Sequence, residues 1–177
     1  MKRIAITGPE STGKSTLAQQ LAGHFNALWV PEFARDYVTN LNQPYTLTDL
    51  ENIARGQLAL QQKTEAQTSQ ILFADTELLV LKIWSENAFG TCPEWILKEL
   101  QNQQFDLYLL MDIDLPWEPD PLREHPHLRQ YFFDLYKAEL ERLNFPFQVI
   151  SGTNEERFQA ALKVIESTSP TSESGFA

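Results

Sequence analysis

The chain has 177 residues, of which 42% are hydrophobic and 21% charged, with a formal net charge of −10. That length fits one domain and that balance fits a globular chain. The acidic excess argues against nucleic acid and anionic membranes as partners, since binding to either draws on neutralised phosphates. The single cysteine, Cys92, cannot form an internal disulfide, and the three histidines have no metal-ligand spacing. With no signal-like or membrane-length apolar run, the expected location is the cytoplasm.

Ile4 to Thr7 is apolar, rich in β-branched residues and stopped by Gly8, which predicts a buried first strand. Leu17, Ala18, Leu21 and Ala22 have helical spacing from Lys14 onward, ending near Gly23 and His24. Ala27 to Val30 reads as a second strand closed by Pro31, and Glu32 to Val38 as a short helix. A longer helix is expected to open at Thr48, with Glu51 completing a capping box, and to run into a Gln-rich stretch ending at Gln70.

Ile71 to Ala74 predicts a third strand ending at Asp75. Thr76 then caps a helix that carries Leu79, Leu81, Ile83 and Trp84. Pro93 suits the first turn of another helix. Leu107 to Met111 is a fourth strand, Asp112 to Pro126 a loop rich in Pro, Asp and Glu, Leu128 to Leu143 an amphipathic helix, Phe147 to Ile150 a fifth strand, and Asn154 to Ile165 a last helix. Strands alternating with helices imply an α/β fold, a five-stranded parallel sheet with helices on both faces. Residues 1–166 form the expected domain, and 167–177, rich in Ser, Thr and Pro, an expected disordered tail.

Gly8-Pro9-Glu10-Ser11-Thr12-Gly13-Lys14-Ser15 spells the complete G-x-x-x-x-G-K-[ST] phosphate-binding loop between a strand and a helix. Its backbone N–H groups and helix N-terminus face phosphates, Lys14 reaches the outer ones, and Ser15 can ligate Mg2+. The expected ATP-binding set is Gly8, Glu10, Ser11, Thr12, Gly13, Lys14, Ser15 and Thr16, with Arg129 and Gly152 from later in the chain. No [N/T]-K-x-D tetrapeptide is present, which disfavours a GTPase, and the length disfavours a ring-forming ATPase with a lid subdomain. A compact kinase with ATP as donor fits best. An NTP-binding regulatory or assembly module with slow turnover is the rival of another class.

Ligands of such sheets lie at the carboxyl ends of the strands, so polar residues just after each strand carry the weight. Asp75 is the expected magnesium organiser, against a role in helix capping. Glu32 is the expected base, with Asp75 as rival. Arg35, one helical turn after Glu32, either holds substrate or makes a surface pair with Glu32 or Asp36. The segment from Asp114 to Arg123 reads as a lid, with Arg123 and Arg129 over the transferred phosphoryl group, Asp120 at the substrate, and Trp117 either stacking on a ring or packing on the body. His24, His125 and His127 receive no role.

Taken in order, Gly8 to Ser15, Glu32-Phe33-Ala34-Arg35-Asp36-Tyr37, Asp75-Thr76-Glu77, Asp114-Leu115-Pro116-Trp117 with Asp120 and Arg123, and Ser151-Gly152 with Arg157 resemble the ribosylnicotinamide kinases, the kinase half of NadR-type proteins. The resemblance implies a P-loop NTPase fold of the nucleoside and nucleotide kinase type. It implies transfer from ATP to the ribose 5′-hydroxyl of nicotinamide riboside, with Glu32 as base, Asp75 serving magnesium and Trp117 on the nicotinamide ring. Another nucleoside or small hydroxyl compound is the alternative acceptor. Two positions depart from the family pattern: Glu77, where a second Asp is usual, and Pro121, where a Gly is usual. The adenylyltransferase and DNA-binding domains of NadR-type proteins have no counterpart in this sequence, and oligomeric state is not encoded in any pattern read from it.

Overall fold

Five short apolar segments form the strands β1 (Lys2–Thr7), β2 (Leu28–Val30), β3 (Ile71–Asp75), β4 (Leu107–Met111) and β5 (Phe147–Ile150). They come from a computed structural model that describes residues 1–68, 70–103 and 105–168. All neighbours pair in parallel, in the order β2-β3-β1-β4-β5. The first strand of the chain is therefore the centre of the sheet.

Alternation along the strands divides the core in two. Ile4, Ile6, Phe73, Leu107, Leu109 and Met111 turn to one face and pack with α1 (Lys14–His24) and α7 (Asn154–Ser167). Ala5, Leu72, Ala74, Tyr108 and Leu110 turn to the other. There they meet α2 (Phe33–Thr39), α3 (Leu47–Glu65), α4 (Leu78–Phe89), α5 (Glu94–Asn102) and α6 (Arg129–Arg142). Helices on both faces of a parallel sheet, with a Gly-rich loop between the central strand and α1, make this the P-loop NTPase architecture.

Two helix starts differ from the sequence expectation. The capping box of α3 lies at Thr46 and Asp49, not at Thr48 and Glu51: the Asp49 N–H donates to the Thr46 hydroxyl at 3.3 Å, and the Thr46 N–H donates to the Asp49 carboxylate at 2.8 Å. The segment Thr-Leu-Thr-Asp offers two overlapping boxes, and the earlier one leaves Leu50 and Ile53 pointing inward. In α4 the cap is Glu77, whose carboxylate accepts from the Leu79 N–H at 2.6 Å, because Thr76 sits at φ +78° with its hydroxyl buried and turned away. At the far end, α7 continues through Ser167, one residue beyond the expected domain limit. Residues 169–177, most of the expected tail, lie outside the described residues. None of the described helices is long and apolar enough to cross a membrane.

One buried amide ties the core to the functional end of the sheet. Gln57 of α3 is 2% exposed; its side-chain oxygen accepts from the Phe33 N–H at 2.8 Å, and its nitrogen lies 3.3 Å from the carbonyls of Pro31 and Thr76. It thereby fixes the turns that follow β2 and β3, which carry Glu32 and Asp75. Gln57→Leu keeps the volume but leaves these groups unpaired in the core. The expected loss is about 2 kcal/mol of unfolding free energy, measured by urea denaturation, with the fold retained.

Candidate active site at the carboxyl ends of the strands

The phosphate-binding loop takes a backbone path that only certain residues tolerate. Gly8 stands at φ +128°, and a Cβ there would meet the carbonyl oxygen and nitrogen of Met111 at 3.1 and 3.2 Å. Glycine at this position lets the loop lie against the end of β4. Gly13 (φ +77°) begins α1, whose N-terminus has no side-chain cap, so its first N–H groups remain available to an anion. The Thr12 hydroxyl donates to the Pro9 carbonyl at 2.8 Å, closing the loop on itself.

A cavity of about 600 Å³ opens from this loop, with Gly8 to Leu17 as its floor. Lys14 lies along it, its Nζ donating to the carbonyls of Gly8 (3.0 Å) and Pro9 (2.7 Å). Burial lowers the Lys14 pKa against the pull of Glu32, Asp75 and Glu10. Glu32, Arg35 and Arg123 line the same cavity, as the sequence reading requires. Glu32 precedes the first turn of α2 and is half-buried, so its carboxylate faces the cavity from the end of β2.

Asp75 is not a wall of the cavity. It is buried beneath it, 1% exposed, in contact with the Ser15 hydroxyl and within the field of Lys14. Burial pushes its carboxyl up to about 6 against the lowering effects of Ser15 and Lys14, and Oδ1 has no hydrogen-bond partner. A buried carboxylate oxygen left unpaired beside a hydroxyl is the donor chemistry of a hard, oxygen-seeking cation.

The lid is sewn to the loop. The Ser11 hydroxyl accepts from the Glu118 N–H at 2.9 Å and from Arg123 at 3.3 Å, and Arg123 also donates to the Glu118 carbonyl. Arg129 donates to the carbonyls of Leu115 (2.8 Å) and Ser11 (3.1 Å), which places it behind the loop and out of the cavity lining. The Glu10 carboxylate accepts from the N–H groups of Glu124 (3.0 Å) and His125 (3.1 Å). Arg35 pairs with Asp120 at 3.0 Å and stands 3.9 Å from Glu32. Asp120 is thus engaged by Arg35 and by the Leu122 N–H, and it too stands outside the lining. Gly152 donates its N–H to Asp114 and sits behind the loop, although the adjacent Thr153 and Asn154 reach the cavity.

Trp117 does not line the cavity; its neighbours Leu115, Pro116 and Glu118 do, the last with its N–H held by Ser11. The aromatic wall comes from elsewhere, from Tyr45, Trp84, Phe132 and Tyr136. Tyr45 and Trp84 meet edge to face at 5.0 Å, and the His125 ring lies 5.1 Å from Phe132. Of these, Trp84 was legible as a helix residue and overlooked as a wall. Val80, Ile83, Trp84 and Asn87 share the i, i+3, i+4, i+7 stripe of α4 that faces the cavity.

Two further buried groups had no assigned role. Arg157, 4% exposed, donates to the carbonyls of Thr12, Gly152 and Asp112 and pairs with Asp114. Glu77, 0% exposed, accepts from the Thr7 hydroxyl at 3.0 Å at the end of β1, and burial pushes its carboxyl up to about 7.

A family model described as an AAA domain matches residues 3–157. The trifunctional NAD biosynthesis/regulator protein NadR of Escherichia coli (strain K12) is 27% identical over 172 residues, which cover 93% of this chain and 42% of that protein. The chain therefore spans less than half the length of this curated relative. A NadR protein solved in complex with NR superposes with a TM-score of 0.75 at 20% identity, covering 94% of this chain and 51% of that one. The same protein name recurs in a complex with NAD and AMP-PNP, at a TM-score of 0.72 and 20% identity, covering 94% and 49%. Thymidylate kinase from Ehrlichia chaffeensis gives a TM-score of 0.63 at 15% identity, covering 95% and 98%. The fold is the one expected, a P-loop NTPase of the nucleoside and nucleotide kinase type.

The folded-state pKa of Glu77, about 7, lies above its ordinary value of 4.5, so its proton favours the fold. That contribution is complete below pH 4.5 and is lost as the pH rises through 7. Glu77→Gln cannot lose it. The unfolding free energy of the variant minus that of the wild type should therefore rise by about 3 kcal/mol between pH 4 and pH 8. Denaturant titrations at the two pH values measure it, and a constant difference would contradict the assignment.

Proposed function

The chain belongs to the AAA-domain family, and on that footing we propose that it is an ATP-dependent kinase that phosphorylates the ribose 5′-hydroxyl of nicotinamide riboside. The observation that carries this reading is the shape of the single continuous cavity. Its lining brings together the phosphate-binding loop, Glu32 and an aromatic wall of Tyr45, Trp84 and Phe132. A flat cationic ring is attracted to aromatic faces and suits the acidic residues Glu118 and Glu124 on the cavity lining. Its volume is in the range of small-molecule sites. The sequence likeness to NadR, and the NR named in the complex of a fold relative, support the same acceptor.

In this reading the loop N–H groups and Lys14 hold the ATP phosphates. Glu32 accepts the proton of the 5′-hydroxyl as that oxygen bonds to the γ-phosphorus, and the bond from the γ-phosphorus to the β-bridging oxygen breaks to release ADP. Asp75 is 1% exposed and outside the cavity lining, which favours Glu32 as the base. Ser15 and the unpaired Asp75 Oδ1 fit magnesium, which would neutralise charge on the phosphates. Arg123 supplies a cation at the loop, and Arg35, latched to Asp120, holds the lid near the ribose. Residues 1–166 constitute the kinase unit, acting in the cytoplasm on small molecules and not on nucleic acid or membrane.

ADP release measured over a panel of nucleosides and other small hydroxyl compounds tests the acceptor. Nicotinamide riboside should give the largest kcat/KM; a larger value for another nucleoside would replace the substrate, and ADP release that no acceptor stimulates would favour a binding module. Lys14→Ala should lower kcat/KM by at least about a hundredfold, since it removes a charge aimed at the developing transition state. Trp84→Ala should raise the riboside KM about tenfold at unchanged ATP KM. Trp117→Ala should leave both KM values in place, and the reverse pattern would return the ring to Trp117.

A further inference from the structure

A loop that binds a polyanion has no electrostatic use for a carboxylate in its third position, yet Glu10 occupies that place. The structure shows where its charge goes. Both carboxylate oxygens face the lid, and Oε2 accepts from two successive backbone N–H groups, those of Glu124 at 3.0 Å and His125 at 3.1 Å. Charge-assisted bonds of this kind are about twice as strong as neutral ones. Glu10 therefore faces away from the phosphates and onto the lid.

The two residues it holds build the acceptor side of the cavity. The Glu124 side chain accepts from the Tyr45 hydroxyl at 2.9 Å, and Tyr45 in turn packs on Trp84 at 5.0 Å. The His125 ring lies on Phe132 and reaches the Asn87 amide at 3.4 Å. Tyr45, Trp84, Asn87, Glu124, His125 and Phe132 all line the cavity. The lid has a second attachment to the loop, through Ser11 to Glu118 and Arg123, but that one secures the phosphate side.

We propose that Glu10 is a positioning residue for the acceptor: its carboxylate hangs the aromatic wall from the phosphate-binding loop and so sets acceptor affinity, while contributing little to ATP binding. The identity of the acceptor rests on the kinase reading above; the attachment itself does not. The side chain acts through Glu124 and His125, and it touches neither reactant.

Two variants and two readouts test this. Amide hydrogen exchange in Glu10→Ala, followed at Glu124 and His125 in the whole chain, should speed up at least about tenfold at these two positions and not at Glu118. In steady-state kinetics, Glu10→Ala should raise the KM for nicotinamide riboside about tenfold with the ATP KM within about twofold. Glu10→Gln keeps one acceptor oxygen of the same reach and should recover most of the loss. Unchanged exchange at both amides overturns the proposal, as does an ATP KM that rises as much as the riboside KM. If wild-type protein releases no ADP with the riboside, the acceptor assignment fails instead, and the exchange measurement alone decides the role of Glu10.

Discussion

The guanidinium of Arg157 joins three loops that the sheet brings near one another but does not itself connect. From α7 it donates to the Thr12 carbonyl in the phosphate-binding loop, to Asp112 and Asp114 after β4, and to the Gly152 carbonyl after β5. A cation this deeply buried is stable only where its donors are matched, and removing the partners would leave a charge in the core. A rigid fork of five N–H groups suits that task better than the mobile point charge of a lysine. The shape of the loop thus depends on a residue near the other end of the domain, and the Gly8 backbone, lying against Met111, depends on the same alignment.

Charge is distributed accordingly. Lys14, Arg123 and Arg157 gather around the loop, each bonded to one of its backbone or hydroxyl oxygens. Glu118 and Glu124 bring acids to the lid side of the cavity. Glu32 stands between the two regions, close enough to Lys14 and Arg35 to share their field. Asp75 and Glu77 lie beneath, at the ends of the central strands, and both are pushed towards neutrality by burial. The chain's net charge describes neither region: three cations converge on the loop in a chain that is acidic as a whole.

Much of this was legible in the sequence because local patterns decided it. The runs Leu107 to Met111 and Phe147 to Ile150 are strands at the expected boundaries, and the loop lies where its motif puts it. Local ambiguity misled where two solutions overlap. Thr46 to Glu51 allows two capping boxes, and distant partners select the earlier one: the Tyr37 hydroxyl donates to Asp49 at 2.9 Å, while Glu51 accepts from the Trp95 indole at 2.8 Å. An aromatic wall was sought at Trp117 in the Pro-rich lid, whereas the tryptophan that lines the cavity, Trp84, is hidden in an apolar helix whose cavity stripe also contains core-like Val80 and Ile83. Arg157 and Glu10 were singled out in the sequence, but their contacts were illegible for a different reason. Arg157 reaches Thr12 across 145 residues and Glu10 reaches Glu124 across 114, and no spacing along the chain encodes such contacts.

The order of strands in the sheet sets a schedule for synthesis. Of the five strands β1 is made first, yet it sits at the centre of the sheet, with partners that begin at Ile71 and Leu107. Until those residues emerge, the nascent chain carries an apolar strand with both edges open, followed by a phosphate loop that has no wall to lie against. Pairings this distant in sequence are slow to close and leave such edges exposed to other chains. The loop is translated well before Arg157 and completed only when that residue arrives, so nucleotide can help fold this unit only after α7 has emerged.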